Sequence, residues 1–545
     1  MELAEELKSF FTGDILHDAE TIKKYSRDAS LFEITPELVV FPKDVADLKN
    51  LVRFAAEKKK EGRKISLTAR SAGTDMSGGS IGESIIVVFT KYFTHTGEVE
   101  EGTLRSEPGV YYRDFEKITL EKGYLFPSYP ASKELCAIGG IVNNNAGGER
   151  SLVYGKTEDY IASMNVVLAD GNEYTLRGLS REELDEKLSE PGFEGEVYRK
   201  MYKLLEENYD VVKAAKPKVS KNSAGFNVWD VWDKKEFNLA KLFVGSQGTL
   251  GLTTEATFRL VKTKPYSGML VVFMKDLRPL VDLVKTILPF APTSFESFDD
   301  HTLRLAMRFL PDFIKLLGSK NIISLGLQFL PEFWLVLTEG MPKLVLLVEF
   351  EGDTQAQVDE KITALRKQLK NFRVKVRVAG TKEEAKKYWA IRRESFNLLR
   401  HRVLNKQTAP FIDDVIVAPE KMPEFLTELY KILDRYKLLY TIAGHVGNGN
   451  FHIIPLMSLA KDEDRQKIPL VADEVYDLTL KYGGSITAEH NDGLIRGPYL
   501  KKMYGAKVYG IFKEIKSIFD PEDIFNPGKK MEADLQYALA HIKRS

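Results

Sequence analysis

The sequence predicts a fold that mixes α-helices and β-strands, and the clearest pattern lies near its N-terminus. Residues 38–41 form a short apolar run, and apolar residues then recur at helical spacing from Val45 to Ala55 behind the candidate N-cap Asp44. Residues 65–67 and 85–89 supply two further strands. The chain contains no G-x-G-x-x-G fingerprint, which argues against a Rossmann dinucleotide site after this strand–helix–strand start.

Composition limits the class of protein. The 545 residues suggest two or three domains, and 43% hydrophobic with 29% charged residues is typical of a globular protein. A formal net charge of zero gives no reason to expect a nucleic-acid partner. One cysteine excludes a disulfide framework, a zinc finger and a cysteine-ligated iron–sulfur cluster. Since no secretory signal pattern begins the chain, we expect a cytoplasmic protein, with peripheral contact at the inner face of the membrane as a variant.

The most apolar stretch lies between residues 303 and 337. Its second part, residues 322–337, is shorter than a membrane span and is interrupted by Pro331 and Glu332. Two interpretations stay open: a buried element of a cap domain, or a surface that docks on a membrane or a partner.

Three glycine-rich loops occur in order along the chain. The first spans Arg70 to Gly82, the second includes "AIGGIVNNNAGG" and the third reads "GSQGTLG". Glycines allow backbone N–H groups to converge on an anion, and the intervening hydroxyl groups add donors. A single loop of this kind is weak support, but three together indicate a phosphate-containing ligand.

Two histidines flank a predicted hairpin in "AGHVGNGNFH". Asn448-Gly449 favours a two-residue loop, which would place His445 opposite His452 at about 5 Å between Cβ atoms. The pair could share a cation, or could belong to a solvated hairpin. Further along, "ITAEHNDG" supplies Glu489 and His490, and two imidazoles with one carboxylate make a three-ligand site of the catalytic type. Glu489 and His490 can face one site only if the backbone leaves strand geometry there.

Several ordered motifs resemble the vanillyl-alcohol oxidase superfamily. They are "ARSAGTDMSGG", "IGGIVNNNAGG", "VYGKTEDYI", "GSQGTLGLTTE", "GHVGNGNFH", "ITAEHNDG" and "FDPEDIFNPGK". More narrowly, from about Glu37 onward the chain is similar to the D-lactate, glycolate and D-2-hydroxyglutarate dehydrogenase branch. This resemblance implies an α+β fold: an FAD-binding domain of two subdomains at 1–265, an α+β cap domain with an antiparallel sheet at 266–505, and a C-terminal segment at 506–545 that returns to the flavin.

The resemblance also assigns the cofactor. It implies FAD contacts at Arg70, Ser71, Ala72, Gly73, Thr74, Asp75, Gly139, Gly140, Asn145, Gly147, Gly148, Ile161, Gly248 and Asn526. Relatives with a flavin-linked histidine carry it where this chain has Thr74, so we expect non-covalent FAD. Cys136 is offset from the position at which some relatives attach flavin through sulfur, and we interpret it as a packing residue.

The same resemblance assigns the catalytic residues. It implies that His445, His452 and Glu489 bind a divalent metal, with zinc expected and manganese or iron as alternatives, and that His490 is the general base. "WAIRRESF" nominates Arg392 for the substrate carboxylate, because a guanidinium can bind a carboxylate through two hydrogen bonds. Arg393 is interpreted as a structural or surface charge.

The implied reaction is the oxidation of a D-2-hydroxy acid to the 2-oxo acid. A metal would stabilise charge on the hydroxyl oxygen, a neutral histidine with a pKa near 6.5 would take the proton, and hydride would pass to flavin N5. Relatives specific for D-2-hydroxyglutarate carry a lysine after the Arg392 helix, where this chain has Asp413 and Asp414. We therefore expect a small substrate that resembles D-lactate or glycolate.

Two other functions stay open at this stage. One is a different flavoenzyme of the superfamily, such as a sugar or alcohol oxidase or an ether-lipid alkyl transferase; the other is a non-catalytic flavin subunit with a structural metal. The run of consecutive histidines that marks the alkyl transferases is absent. The reduced flavin of a dehydrogenase needs an external electron acceptor: a quinone, an electron-transfer flavoprotein or a partner subunit.

Overall fold

The strand–helix–strand pattern builds a four-stranded sheet in the computed structural model of the chain, which describes residues 2–308, 338, 340–381, 384–393 and 406–544. The sheet has the order β1-β2-β4-β3, with β1 Asp14–Leu16, β2 Leu38–Phe41, β3 Leu67–Arg70 and β4 Ile85–Val88. Strands β2, β4 and β3 are parallel. The predicted N-cap is confirmed, because the Asp44 side chain accepts the Asp47 N–H. The third strand begins at Leu67, two residues later than predicted.

A second sheet is antiparallel and lies further along the chain. Its order is β5-β10-β7-β8-β9, with β5 Thr103–Ser106, β7 Ile161–Val167, β8 Glu173–Leu179, β9 Phe237–Asn238 and β10 Leu252–Arg259. A separate pair joins β6 Tyr124–Leu125 to β11 Val261–Lys262. Strand β10, which follows the third glycine loop, is buried at its start and alternates between more and less buried residues toward its end.

A third sheet, also antiparallel, contains the histidine hairpin. Its order is β15-β12-β14-β13-β18-β19-β16, and β17 pairs with β19. The strands are β12 Tyr266–Met274, β13 Ser294–Asp299, β14 Leu344–Gly352, β15 Lys375–Ala379, β16 Gln407–Thr408, β17 Val415–Ile416, β18 Leu439–His445 and β19 Asn450–Met457. The α+β class and an antiparallel sheet in the second half of the chain are therefore as predicted.

Helices cover these sheets on several sides. Before the third sheet they are Glu2–Leu7, Ala19–Tyr25, Val45–Lys60, Tyr112–Glu121, Ile138–Asn144, Ser151–Tyr154, Arg181–Ser189, Gly192–Glu207, Tyr209–Ala214 and Ala240–Phe243. Within and after it they are Leu280–Ile287, Asp300–Arg308, Gln355–Leu369, 384–393, Met422–Arg435, Asp462–Lys481, Gly493–Arg496, Leu500–Phe519 and Leu535–Ala540.

Apolar spacing explains how the helices attach. In Met422–Arg435, for example, the buried residues are Met422, Phe425, Leu426, Leu429 and Leu433, which recur every three or four positions and form one face. Strand β14 is buried along most of its length, which fits its central place between β12 and β13. The packing of these faces gives one large apolar core that includes residues of both antiparallel sheets.

The apolar stretch at 303–337 lies mostly outside the described residues. Its first residues belong to the helix Asp300–Arg308, where Leu303 is buried. Among the described residues, no helix has the combination of length and apolarity that crossing a membrane requires.

The C-terminal segment returns to the glycine loops through Asn526. This fully buried side chain donates to the carbonyl oxygens of Gly79 at 2.7 Å and Gln247 at 2.8 Å. Its own N–H donates to the Leu67 carbonyl at 2.9 Å. One residue therefore joins the first and third glycine loops to the start of β3.

We predict that Asn526→Ala destabilises the protein and weakens its hold on the cofactor of the loops. Two buried carbonyl groups lose their donors, which should lower the free energy of unfolding by about 2–4 kcal/mol. Urea unfolding followed by circular dichroism measures the change, with the exposed Asn371→Ala as control. An Asn526→Ala protein as stable as this control would contradict the role of Asn526.

Candidate functional site

The histidine hairpin differs from its prediction in register. Strands β18 and β19 are joined by the four residues 446–449, and the ladder pairs His445 with Asn450 and Ala443 with His452. The predicted two-residue loop is wrong because it needs positive φ at both Asn448 and Gly449, and only Gly449 has it, at 76°. A Cβ on Gly449 would lie 1.9 Å from the carbonyl oxygen of residue 417, so close packing also requires glycine there.

The two histidines still share one face of the sheet. Diagonal positions of an antiparallel pair lie on the same side, and the ring centroids are 5.1 Å apart. The Nε2 atoms of His445 and His452 lie 2.8 Å and 3.4 Å from Oε1 of Glu489. Two imidazole nitrogens and a carboxylate oxygen therefore converge, as the predicted ligand set requires.

Asp414 explains how neighbouring residues Glu489 and His490 reach the same site. Its Oδ2 atom accepts the backbone N–H groups of Ala488, Glu489 and His490 at 2.7–2.8 Å, and the Thr487 hydroxyl at 2.6 Å. Residues 488–490 are not in a strand. The backbone wraps around this carboxylate, so that both side chains line one cavity.

Asp413, the next residue, connects two histidines. Its Oδ1 and Oδ2 atoms accept from Nδ1 of His452 at 3.1 Å and from Nδ1 of His490 at 2.6 Å. The two imidazole rings stack with centroids 4.8 Å apart. Burial alone would lower both histidine pKa values, but Asp413 raises the pKa of His452 to about 9 and also raises that of His490. The unperturbed pKa assumed for His490 therefore does not hold.

Glu296 makes the corresponding connection on the other side of the site. This residue of β13 is almost fully buried; its Oε1 lies 2.6 Å from Nδ1 of His445, and its Oε2 lies 3.2 Å from both Nε and Nη2 of Arg392. Arg393 instead forms an ion pair with Glu149 at 2.5 Å. This geometry agrees with the structural role inferred for Arg393.

Lys221 is a further buried charge at the site. Its ammonium group lies 2.8 Å from Oε2 of Glu489, and the side chains of both residues are less than 5% exposed. Glu489 thus directs one oxygen to the histidines and the other to a lysine. The sequence did not predict the roles of Lys221 and Glu296. Nothing marks Lys221, and Glu296 lies in a strand, Ser294–Asp299, whose residues are polar apart from two phenylalanines, so that its burial has no local signal.

The same atoms allow a second ligand set. One ligand-type atom from each of Asp414, His452, Glu489 and His490 lies within 4.8 Å of the others. Asp414 is less suited to a metal, because both of its oxygens already accept hydrogen bonds, Oδ1 from Asn450 at 3.1 Å. We therefore favour His445, whose Nε2 faces Glu489.

One cavity of about 490 Å³ joins this cluster to all three glycine loops. Of the predicted cofactor residues, those that line it are Arg70, Ser71, Ala72, Gly73, Thr74, Asp75, Gly139, Gly140, Gly147, Gly148 and Gly248. A Cβ on Gly147 would lie 2.8 Å from Oε2 of Glu489, and one on Gly148 would lie 2.1 Å from the Tyr129 carbonyl oxygen. Glycine at 147 therefore allows the second loop to pass close to Glu489, and glycine at 148 allows it to pass close to residue 129.

Three predicted cofactor residues lie away from the cavity wall. The Asn145 amide donates to Glu158 at 2.7 Å, and Ile161 is packed in the core at the start of β7. Asn526 holds the loops from behind, as described above. The structure does not bring these three side chains to the cavity.

Arg70 and Asp75 mainly shape the first loop. The Arg70 guanidinium donates to the carbonyl oxygens of Arg27 at 2.7 Å and Ser80 at 3.3 Å. The Asp75 carboxylate accepts the N–H of Gly79 at 2.5 Å, and burial raises its pKa to about 6. These bonds fix the loop so that its backbone lines the cavity.

Cys136 also contacts the cavity. It is buried, and this burial raises its pKa to about 12, so the thiol stays protonated and unreactive near neutral pH. This agrees with the interpretation of Cys136 as a packing residue.

Comparisons with known proteins agree with this geometry. Residues 36–177 match the FAD binding domain family, and residues 264–530 match the family described as FAD linked oxidases, C-terminal domain. The D-2-hydroxyglutarate dehydrogenase of Pseudomonas putida is 27% identical over 97% of this chain and 51% of its own length. The glycolate oxidase subunit GlcD of Bacillus subtilis is 26% identical over 94% and 92%. The chain thus spans about half the length of the curated D-2-hydroxyglutarate dehydrogenases that it matches first.

A solved structure shows the fold. That of p-cresol methylhydroxylase with substrate bound is 17% identical, covers 97% of this chain and 96% of its own, and superposes with a TM-score of 0.67. The predicted α+β FAD-binding architecture and the predicted resemblance are confirmed. The chain belongs to the FAD-linked oxidases that share the FAD-binding fold of the vanillyl-alcohol oxidase superfamily.

Proposed function

We propose that the protein is an FAD- and divalent-metal-dependent dehydrogenase that oxidises a small D-2-hydroxy acid to the 2-oxo acid. The main support is the continuity of a single cavity, which runs from the glycine loops of the FAD-binding domain to His445, His452, Glu489, His490 and Arg392. The D-2-hydroxyglutarate dehydrogenase and glycolate oxidase relatives point to the same class of reaction. Bound FAD supplies the acceptor for the hydride that leaves C2.

His445, His452 and Glu489 fit a divalent metal. Each histidine directs Nε2 toward Glu489 while its Nδ1 is held by a buried carboxylate, which is the usual arrangement around metal-bound imidazoles. Three protein ligands with open positions favour zinc, with manganese and iron as alternatives. Such a cation would supply Lewis-acid polarisation of the C2 hydroxyl group.

His490 is the proposed general base. Since its Nδ1 is bonded to Asp413, its Nε2 is the atom that remains to take the hydroxyl proton. The Asp413 carboxylate stabilises the imidazolium that forms, and this also accounts for the raised pKa of His490. The bond to Asp413 therefore holds the base in one orientation.

Arg392 is the proposed ligand of the substrate carboxylate. Among the described residues that line the cavity, the cations other than histidine are Arg70, Arg392 and Arg393. Arg70 is bonded to backbone carbonyl oxygens and Arg393 to Glu149, whereas the Arg392 contacts with Glu296 use Nε and Nη2 and leave Nη1 for a substrate. A single guanidinium favours a substrate with one carboxylate.

The sheet face beside the histidines favours a short substrate side chain. Thr441, Ala443 and Ile454 line the cavity on the same face as His452, because Ala443 pairs with His452 and Thr441 with Ile454. These side chains are small or apolar and offer no positive charge for a second carboxylate. Together with Arg392 they support a substrate that resembles D-lactate or glycolate.

The domain division and the electron acceptor follow from this proposal. We assign 1–265 to the FAD-binding domain, 266–505 to the cap domain with the metal site and 506–545 to a segment that returns to the loops. Reoxidation then needs an acceptor outside the chain: a quinone, an electron-transfer flavoprotein or a partner subunit.

We predict that anaerobic addition of D-lactate or glycolate bleaches the flavin of the purified protein, and that a chelator abolishes this bleaching without releasing FAD. The metal and flavin sites are built from different segments, so one can be emptied alone. His445→Ala should reproduce the effect of the chelator and lower the metal content measured by atomic emission. Full bleaching in the metal-free protein would contradict the proposed function.

We predict that His490→Ala retains FAD and metal but reduces flavin about 10²- to 10⁴-fold more slowly, the usual contribution of a positioned base. Stopped-flow absorbance measures the rate at saturating substrate. His301→Ala is the control, because the His301 ring stacks on Tyr440 and does not line the cavity. A loss of less than about tenfold would assign proton removal to another group.

A further inference from the structure

Two buried carboxylates repeat one arrangement on opposite sides of the site. Glu296 bridges His445 to Arg392, with 2.6 Å to the imidazole and 3.2 Å to the guanidinium. Asp413 bridges His452 to His490, with 3.1 Å and 2.6 Å to the two Nδ1 atoms. Each carboxylate therefore holds one candidate metal ligand with one oxygen and one residue assigned to the substrate with the other.

We propose that Glu296 and Asp413 are positioning residues that couple metal binding to the two halves of the reaction: Glu296 to binding of the substrate carboxylate, and Asp413 to proton removal. This inference rests on the proposed function. The inference extends that function, because it predicts that the metal, the substrate carboxylate and the base are linked through two specific side chains that are not themselves metal ligands.

The chemistry of a carboxylate explains why it suits this place. An ionised carboxylate is an acceptor at both oxygens, so it can take an Nδ1–H from two imidazoles at once. With Nδ1 donating to Asp413, each imidazole leaves Nε2 for its proposed role: that of His452 lies beside Glu489, where a metal would take the place of its proton, and that of His490 is left for the cavity. Asp413 thereby selects the tautomer that a metal ligand and a base both require.

An amide of the same shape cannot do this. Asparagine or glutamine offers one oxygen and one NH₂ group, so one neighbour loses its acceptor and faces a donor instead. In Asp413→Asn the group that loses its acceptor is a histidine, either His452 or His490. In Glu296→Gln it is His445 or Arg392, which is a donor only.

Burial makes the arrangement rigid. Glu296 and Asp413 are at most 1% exposed, so water cannot replace a lost partner. A change in the group bound to one carboxylate oxygen therefore alters the position of the group bound to the other. Coupling between binding sites is reciprocal. A substrate carboxylate on Arg392 should therefore raise the affinity for the metal by the same factor as the metal raises the affinity for the substrate.

The test compares Glu296→Gln and Asp413→Asn in the FAD-loaded full chain. Titration with Zn²⁺ alone should show that each variant loses about 10- to 100-fold in metal affinity, as for other partners of metal-bound histidines. At saturating metal the two variants should then differ. Glu296→Gln should raise KM for D-lactate with kcat little changed, whereas Asp413→Asn should lower the flavin reduction rate about 10²- to 10⁴-fold with KM little changed.

Glu349→Gln is the matched control. Glu349 is a carboxylate on the adjacent strand β14, where burial raises its pKa to about 7, and its ladder partners are Ser294 and Met269. It should match the unaltered protein in zinc affinity and in both kinetic constants. Retention of FAD and the thermal midpoint report on folding; if an amide variant fails them, Glu296→Asp and Asp413→Glu replace it, since they keep the charge but displace the oxygens.

Two outcomes would overturn the proposal. Unchanged zinc affinity in both variants would mean that the carboxylates do not hold the metal ligands. The same rise in KM and the same fall in kcat in both variants would mean a general structural role without separate couplings. Failure of the proposed function is distinguishable: no 2-hydroxy acid would then reduce the flavin of the unaltered protein, while the zinc titrations would still decide whether the bridges support the metal.

Discussion

The Asp414 carboxylate accepts three successive backbone N–H groups, those of residues 488–490, and the chain bends around it. This interaction decides where Glu489 and His490 lie, because neighbouring residues of an extended strand would face opposite sides. Once the bend is fixed, Glu489 meets the two histidines of the β18–β19 hairpin, and His490 meets Asp413. The part of the cavity lined by the histidines depends on one acceptor that does not itself line it.

The site concentrates charge where burial makes charge unfavourable. Glu296, Asp413, Asp414 and Glu489 are all less than 5% exposed, and their neighbours include Lys221. Replacing such groups by apolar residues often leaves a protein equally or more stable, so stability alone does not explain them. The buried charges are explained if each one orients a group that binds the substrate, binds the metal or takes the proton. Both bridging carboxylates have the geometry for this.

Local patterns predicted much of this architecture. The strand 38–41 and the N-cap Asp44 can be inferred from adjacent residues. The hairpin register could not be, since it depends on how closely Gly449 packs against residue 417. Glu296 and Lys221 contact residues 149 and 268 positions away, and no local spacing reports such contacts.

The most direct test of the role of Asp414 is a zinc titration of the FAD-loaded Asp414→Asn variant. An amide can present its oxygen either to the backbone N–H groups or to Asn450, whereas the carboxylate serves both. We predict that residues 488–490 lose their fixed position and that zinc affinity falls at least about tenfold while FAD is retained. Zinc binding with unaltered affinity and stoichiometry would contradict it.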